Sequence, residues 1–273
     1  ASTRSNIESL AFKVKNFCKF CLDNGYVEGD QDSVYPISVS VSKVDYSENI
    51  KNNYIKDTEQ FNEILKVILG DATFIDNYFP LATFVLVWWG VASSDIPHIK
   101  KSDFDSRNGH LKYKNKIIRI DDILHIKILT SAKNQTSIST QAKDVVVVRH
   151  LVNNEYLIRK VDTNTSVDSP ILTSKVSQYF MSISDKLLMS HGISVNFTAN
   201  VVSNSGHMYR LYKKIRAFED EGRKVGYRDL VLESLSPSEA ESISREALKN
   251  RTTSLKKDFI AYRNAFWDNE DNT

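Results

Sequence analysis

Hydrophobic residues recur at helical spacing through much of the chain and predict its first helices. An apolar stripe over residues 4–24 predicts an amphipathic helix that ends at Asn24-Gly25. A second helix is predicted from Thr58, as its cap, to Gly70. Its apolar stripe consists of Phe61, Ile64, Leu65 and Ile68. Residues 79–92 are almost continuously apolar, which predicts a helix near 77–91 that is buried on all sides.

A small sheet is predicted between the helices. Alternating residues around Lys114-Asn115-Lys116 predict one β-hairpin, and residues 145–148 with 156–158 predict a second one around Asn153-Asn154. Further helices are predicted over residues 121–132, 173–191, 205–221, 226–235, 238–250 and 252–267. The fold class is therefore mainly α with a small β-sheet, α+β. Residues 25–57 are polar and irregular, and we place a domain boundary at their end, which divides the chain into 1–57 and 58–273.

Composition limits the partners of the chain. The 273 residues carry a formal charge of +2, so bulk positive charge does not explain nucleic-acid binding, and any such surface must be local. No apolar run reaches the length of a membrane span, so no membrane partner is expected. Two cysteines suit a reducing cytosol. The chain starts without methionine or a signal peptide, which suggests a cut from a longer protein.

Common catalytic and metal-binding motifs are not found in the sequence. Cys18-Lys19-Phe20-Cys21 is a CxxC motif without a second ligand pair, and its aromatic neighbours favour core packing of the cysteines. The six histidines show no metal-ligand spacing, and no glycine-rich phosphate loop is present. We therefore predict neither a metal site nor a cofactor.

A basic face on one predicted helix is the most informative feature. His207, Arg210 and Lys214 share that face. The opposite face is apolar and is formed by Met208, Leu211, Ile215 and Phe218. Basic residues outnumber acidic ones between residues 205 and 228, so this helix is either a solvated surface or an anion-binding one.

Three segments in order resemble the tyrosine recombinase (phage integrase) family. Residues 81–105 resemble that family's buried helix and the turn and acidic stretch after it, and His207-Met208-Tyr209-Arg210 matches its His-x-x-Arg motif. Residues 235–246 resemble the segment that leads to the nucleophilic tyrosine, and residues 4–24 the last helix of the core-binding (SAM-like) domain. The resemblance implies a recombinase catalytic-domain fold. Within the family the chain resembles integrase-like repressors of lysogeny of SPbeta-type phages, which implies a location in the cytoplasm of a bacterial host, at the nucleoid.

The chemistry that the resemblance implies is not complete in this chain. Two arginines of the family hold the scissile phosphate, a tyrosine attacks it, and a hairpin lysine and histidines move protons. Here Ala92 stands at the position of the first arginine, Pro237 at the second histidine and Glu246 at the tyrosine. His207 and Arg210 remain, so we predict vestigial positions and no catalytic residue. The alternative is an active recombinase whose nucleophile is Tyr262, although this residue follows Arg210 at more than the family's usual spacing.

The resemblance and the basic face together predict a sequence-specific reader of double-stranded DNA, acting as a phage or prophage repressor of lysogeny. Helix 173–190 is expected to read bases in the major groove. The predicted DNA-binding residues are Lys112, Lys114, Lys116, Lys175, His207, Arg210, Lys213 and Lys214. The helix after Thr252, with its aromatic residues, is a candidate for self-association between copies, or it packs within its own chain. A protein-interaction module with an accidental likeness to integrases is the remaining alternative.

Overall fold

The structure is a computed structural model that describes residues 4–26, 50–51, 53–70, 77–142, 145–163, 168–191, 197–223, 226–235 and 237–267. The helices are α1 (Arg4–Asp23), α2 (Thr58–Gly70), α3 (Phe79–Trp88), α4 (Ile123–Asn134), α5 (Thr173–His191), α6 (Ala199–Asp220), α7 (Tyr227–Ser234), α8 (Pro237–Ser242) and α9 (Arg245–Phe266). The strands are β1 (Phe104–Asp105), β2 (His110–Tyr113), β3 (Lys116–Arg119), β4 (Ser137–Ala142) and β5 (Val145–His150). The chain is α+β, as predicted.

The chain forms two compact units. One unit is Asn53–Phe259, and the other combines Ala1–Asn52 with Ile260–Thr273. The proposed boundary between residues 57 and 58 stays a prediction. In the smaller unit, Cys18 and Cys21 are free thiols on α1 and are half-buried. Phe17 and Phe20 beside them are exposed, so the two cysteines are not packed in an aromatic core as the sequence favoured.

Helix α3 lies at the centre of the larger unit. Every residue from Phe79 to Trp88 is buried, because α4, α5 and α6 all pack against this helix. Two aromatic stacks hold this helix, one at its last residue and one in its middle, with centroid distances of 4.4 Å for Trp88 on Phe61 and 4.4 Å for Phe84 on Phe180. The continuous apolar run therefore has the predicted meaning, a helix that is covered on all sides.

The first predicted hairpin is present. β2 pairs antiparallel with β3 and with β1, and the turn between β2 and β3 is formed by Lys114 and Asn115. The second predicted hairpin is wrong. β5 pairs with β4, from Ser137 opposite His150 to Ala142 opposite Val145, whereas Tyr156 bridges to Lys100. β4 is mostly polar and shows no apolar alternation, so the hydrophobic pattern gave no sign of this strand or of its pairing with β5.

Several helix ends differ from the predictions. Asp57, not Thr58, caps α2, because its carboxylate accepts the Gln60 amide at 2.8 Å. α6 begins at Ala199, capped by the Thr198 hydroxyl, so Ser205 lies inside the helix and does not open it. The predicted helices at 238–250 and 252–267 are instead a short α8 and a continuous α9. Thr252 does not interrupt α9, because its hydroxyl donates a hydrogen bond to the Leu248 carbonyl within the helix.

Two features of the whole chain concern possible partners. No helix among the described residues is long and apolar enough to cross a membrane. Within the same residues, no group of three histidine, cysteine or acidic side chains is placed to hold a metal ion. Residues 35–42, whose alternating pattern predicts a short extended piece, lie outside the described residues.

Candidate nucleic-acid interface

Arg210 lies in the middle of α6 and is held against the end of α3. Its Nη1 donates a hydrogen bond to the Trp88 carbonyl, and its guanidinium lies 5.7 Å from the centre of the Trp89 ring. Gly206, one turn earlier, makes this approach possible, because a Cβ there would stand 2.2 Å from the Trp88 oxygen. Gly90 turns the chain away with a φ of +93°, a conformation that favours glycine.

The charge of Arg210 is not neutralised by a neighbouring acid. Burial lowers the pKa of its guanidinium to about 10, and no carboxylate among the described residues pairs with it. A partly buried cation that keeps its charge at neutral pH favours an anion beside it. This geometry is therefore suited to hold a phosphate.

His207 lies one turn before Arg210 on the same helix and is half-buried. Burial, and then the positive charge of Arg210, lowers the pKa of its imidazole. The ring is therefore mostly neutral at pH 7, and as a neutral ring it can donate one hydrogen bond to a phosphate oxygen. The structure thus places together the two residues of the His-x-x-Arg motif.

The β2–β3 hairpin carries one of the predicted lysines into an ion pair. Lys114 at the turn forms an ion pair with Asp95 at 3.2 Å, and this carboxylate also accepts the Tyr113 hydroxyl at 2.6 Å. The Tyr113 oxygen in turn accepts the Ala92 amide at 3.1 Å, so Ala92 takes part through its main chain. The side chain of Ala92 is a methyl group on an exposed residue, and it supplies no charge at the position of the family's first arginine. Lys112 is exposed on β2.

Lys116 and Lys214 both reach the end of α7. The Lys116 ammonium donates to the carbonyls of Glu233 and Leu235 at 3.4 and 3.2 Å. Lys214, on α6, forms an ion pair with the Glu233 carboxylate. Glu233 was not among the predicted site residues, since an acid near the end of a short helix gives no signal in the sequence. Its exposed carboxylate is an acidic partner, from the same chain, for this basic surface.

The other predicted DNA-binding lysines differ in their surroundings. Lys213 is exposed and lies 3.9 Å from an oxygen of Asp121. Lys175 lies near the start of α5, where its described contacts are with Gln178 at 3.2 Å and the Tyr179 ring at 5.4 Å. The structure therefore brings Arg210, His207, Lys116 and Lys214 to neighbouring elements, whereas Lys175 belongs to a separate surface of the same unit.

The last two positions that depart from the family's pattern, and the alternative nucleophile Tyr262, lie on α8 and α9. Pro237 is the first residue of α8, and Glu246 is an exposed residue in the first turn of α9. The Tyr262 ring is 2% exposed and lies beside Phe266 and Trp267 at centroid distances of 4.8 and 5.3 Å. The side chains of Phe259 and Trp267 are buried as well, and self-association through this helix stays a prediction.

A buried histidine supports the aromatic wall of this surface, and the sequence did not indicate it. Trp89 Nε1 donates to His125 Nδ1 at 3.0 Å, and His125 is fully buried against the Phe61 ring. Because indole N–H is a donor only, Nδ1 must carry a lone pair, and the imidazole is neutral with its proton on Nε2. The Asp122 oxygen at 3.9 Å from Nδ1 is therefore not an ionic partner.

Comparison with known proteins assigns the family. A family model described as MrpR, C-terminal catalytic domain, matches residues 72–225, which is more than half of the chain. The chain belongs to the MrpR family. It is an integrase-like protein, as the three sequence segments indicated. No curated protein matches the chain.

The region matched to the MrpR family contains most of this surface. It includes the hairpin lysines, Ala92, Lys175 and the whole basic face of α6. It ends before α7 and therefore before Glu233, Pro237, Glu246 and Tyr262. The roles of these later residues thus rest on the geometry of this chain alone.

Proposed function

We propose that the chain binds double-stranded DNA sequence-specifically and represses phage or prophage genes that control lysogeny, without recombining DNA. The observation that carries the proposal is Arg210, a charged guanidinium held by a main-chain carbonyl and without a described acidic partner. His207 and Lys214 share α6 with it, and Lys116 of the hairpin reaches the same residue as Lys214, Glu233. Phosphate contacts of this kind give affinity and register on a duplex.

The proposal that the chemistry is lost rests on Ala92, Glu246 and Tyr262. A single oxyanion-stabilising donor is typically worth about 10²–10³ in rate, and Ala92 supplies no side-chain donor. Glu246 has no hydroxyl for covalent catalysis, and its carboxylate would repel a phosphate. The burial of the Tyr262 ring disfavours the alternative nucleophile.

The first experiment is a selection of fragmented source-genome DNA bound by the full chain and identified by sequencing. A recurring motif at promoters is the expected result, and it would give the operator. Enrichment at one attachment-like site would instead favour a recombinase, and trapping on nicked DNA with Tyr262→Phe as the comparison would test it. No enrichment would overturn DNA binding.

Replacing Arg210 or Lys214 by alanine is expected to weaken binding to all duplexes alike. Each lost phosphate contact should flatten the plot of log affinity against log salt by about one unit. Fluorescence anisotropy with a labelled operator at several salt concentrations measures this slope. Arg251→Ala, which removes an exposed arginine from α9, is the matched control and should keep the slope. An unchanged slope in both α6 variants would remove this helix from the interface.

Replacing Glu233 by glutamine is expected to strengthen DNA binding. In the free chain this carboxylate forms an ion pair with Lys214, which must open before Lys214 reaches a phosphate, and the carboxylate repels that phosphate. We expect a several-fold higher affinity with an unchanged salt slope, because Lys214 contacts its phosphate in both proteins. Glu241→Gln, an exposed acid on α8, is the control. Equal affinities of the Glu233 variant and the unmodified chain would show that this acid does not compete with DNA.

A further inference from the structure

A second basic surface lies at the other end of α3 and encloses a cavity of about 520 Å³. Phe79, the first residue of α3, lines it, whereas Trp88, the last residue, contacts Arg210. At 1.5 Å per residue, α3 separates the two sites by about 14 Å along its axis. The cavity is therefore distinct from the surface around Arg210.

The walls of the cavity combine apolar side chains with cations. The apolar part is formed by Phe79, Ile138, Val161, Ile171, Leu172 and Tyr179. The cations are Arg149, Arg159, Lys160 and Lys175. None of the lining residues that the structure describes is acidic. The volume falls in the range of small-molecule sites, about 300–1,000 Å³.

Arg159 gives this cavity a charge that is built into the core. The residue is 6% exposed, and its Nη2 caps the end of α4 by donating to the Gln135 carbonyl. Its Nε has no hydrogen-bond partner among the described residues. Carbonyls of a helix end offset part of the charge, but no described carboxylate neutralises it.

Lys160 and Lys175 are held in place at the same cavity. Lys160 donates to the Ser169 hydroxyl, and Lys175 lies 5.4 Å from the centre of the Tyr179 ring. Both contacts leave the positive charges without a described acid. Several cations around an apolar wall suit a ligand with two parts, one anionic and one apolar.

We propose that this cavity binds a small molecule in which a carboxylate, phosphate or sulfonate group is attached to an apolar body. The anionic group lies between Arg159 and the two lysines. The apolar body lies against Phe79, Tyr179 and Leu172. The site is separate from the phosphate contact proposed around Arg210, although Lys175, which lines it, is also one of the predicted DNA-binding residues.

The test uses two fluorescent probes with the full chain. 1-Anilinonaphthalene-8-sulfonate carries a sulfonate on an aromatic body, and N-phenyl-1-naphthylamine has the same rings without a charge. Both fluoresce more strongly in an apolar site, so titrations give a dissociation constant for each. We expect the sulfonate probe to bind more tightly, because the cavity attracts its charge.

Leu172→Glu places a carboxylate at this cavity on a residue that is 71% exposed, so the fold should tolerate it. The sulfonate probe should then bind at least tenfold more weakly, and the neutral probe should change much less. Leu188→Glu makes the same substitution at a 52% exposed position of α5 that does not line the cavity. This control should bind both probes as the unmodified chain does.

Three outcomes would overturn the proposal. Equal loss in both leucine variants would show that the probe does not occupy this cavity. Equal affinity for the charged and neutral probes would show that the cations do not recognise an anion. Loss of operator binding together with loss of the probe in Leu172→Glu would assign the cavity to DNA. This last measurement rests on the proposed function, whereas the probe titrations do not.

Discussion

Gly206→Ala is expected to destabilise the larger unit by about 2 kcal/mol, although alanine is the better helix former. The added Cβ would stand 2.2 Å from the Trp88 oxygen and 3.0 Å from its carbonyl carbon, so α3 and α6 must move apart. Overpacking of this kind typically costs about 1–3 kcal/mol, while helix propensity returns at most about 1 kcal/mol. Because backbone atoms form the obstacle, rotation of a side chain does not relieve it. Urea denaturation of the full chain measures the loss.

Gly70→Ala is the matched control for this substitution. Gly70 ends α2, and a Cβ there would meet no atom within 4 Å. Its free energy of unfolding should stay the same or rise slightly. Equal stabilities of the two alanine variants would mean that α3 and α6 do not approach as closely as this structure places them.

Acidification from pH 7 to pH 5 is expected to destabilise the chain by about 2 kcal/mol through His125 alone. Burial lowers the pKa of this imidazole from 6.5 to about 4, so the folded state binds the proton only at a lower pH than the unfolded state does. Between these two values the unfolded chain holds more protons, and stability therefore rises with pH. The contribution is complete above pH 6.5 and is lost as the pH falls toward 4. Protonation would also place a donor against the Trp89 N–H.

His125→Asn separates this effect from other titrating groups. The asparagine oxygen can accept the Trp89 hydrogen bond but does not titrate, so the variant should lose about 2 kcal/mol less between pH 7 and 5. His207, whose pKa is also lowered, keeps its own smaller contribution in both proteins. Parallel pH curves for the His125 variant and the unmodified chain would contradict the neutral buried ring.

Sequence pattern predicted the elements whose packing is one-sided or complete. The stripe from Phe61 to Ile68 and the apolar run of α3 gave helices in the right places, because burial on a defined face leaves a period in the sequence. β4 failed this test, since its polar residues are paired with β5 through main-chain hydrogen bonds. Register in such a hairpin depends on the partner strand, which no local pattern contains.

The sequence predicted the motif residues of the candidate site, but not the groups that contact and position them. His207 and Arg210 belong to a short motif and share a helix, so spacing alone placed them together. Glu233, His125 and the Trp88 carbonyl reach this surface from elements distant in sequence. The Trp88 carbonyl is a main-chain acceptor and requires no particular residue type. In the sequence, Glu233 cannot be told from any other surface glutamate.

The partner of Arg210 on α3 is a carbonyl that every amino acid carries. Exchange of the residue at position 88 therefore preserves the acceptor itself, even where loss of the indole weakens the core. Position 206 has no such latitude, because the smallest possible addition already meets the backbone. In a saturation mutagenesis experiment, few substitutions at Gly206 would therefore keep the hydrogen bond of Arg210, whereas many at Trp88 would keep it. The contact therefore depends on the short distance between α3 and α6, which only a glycine at position 206 allows.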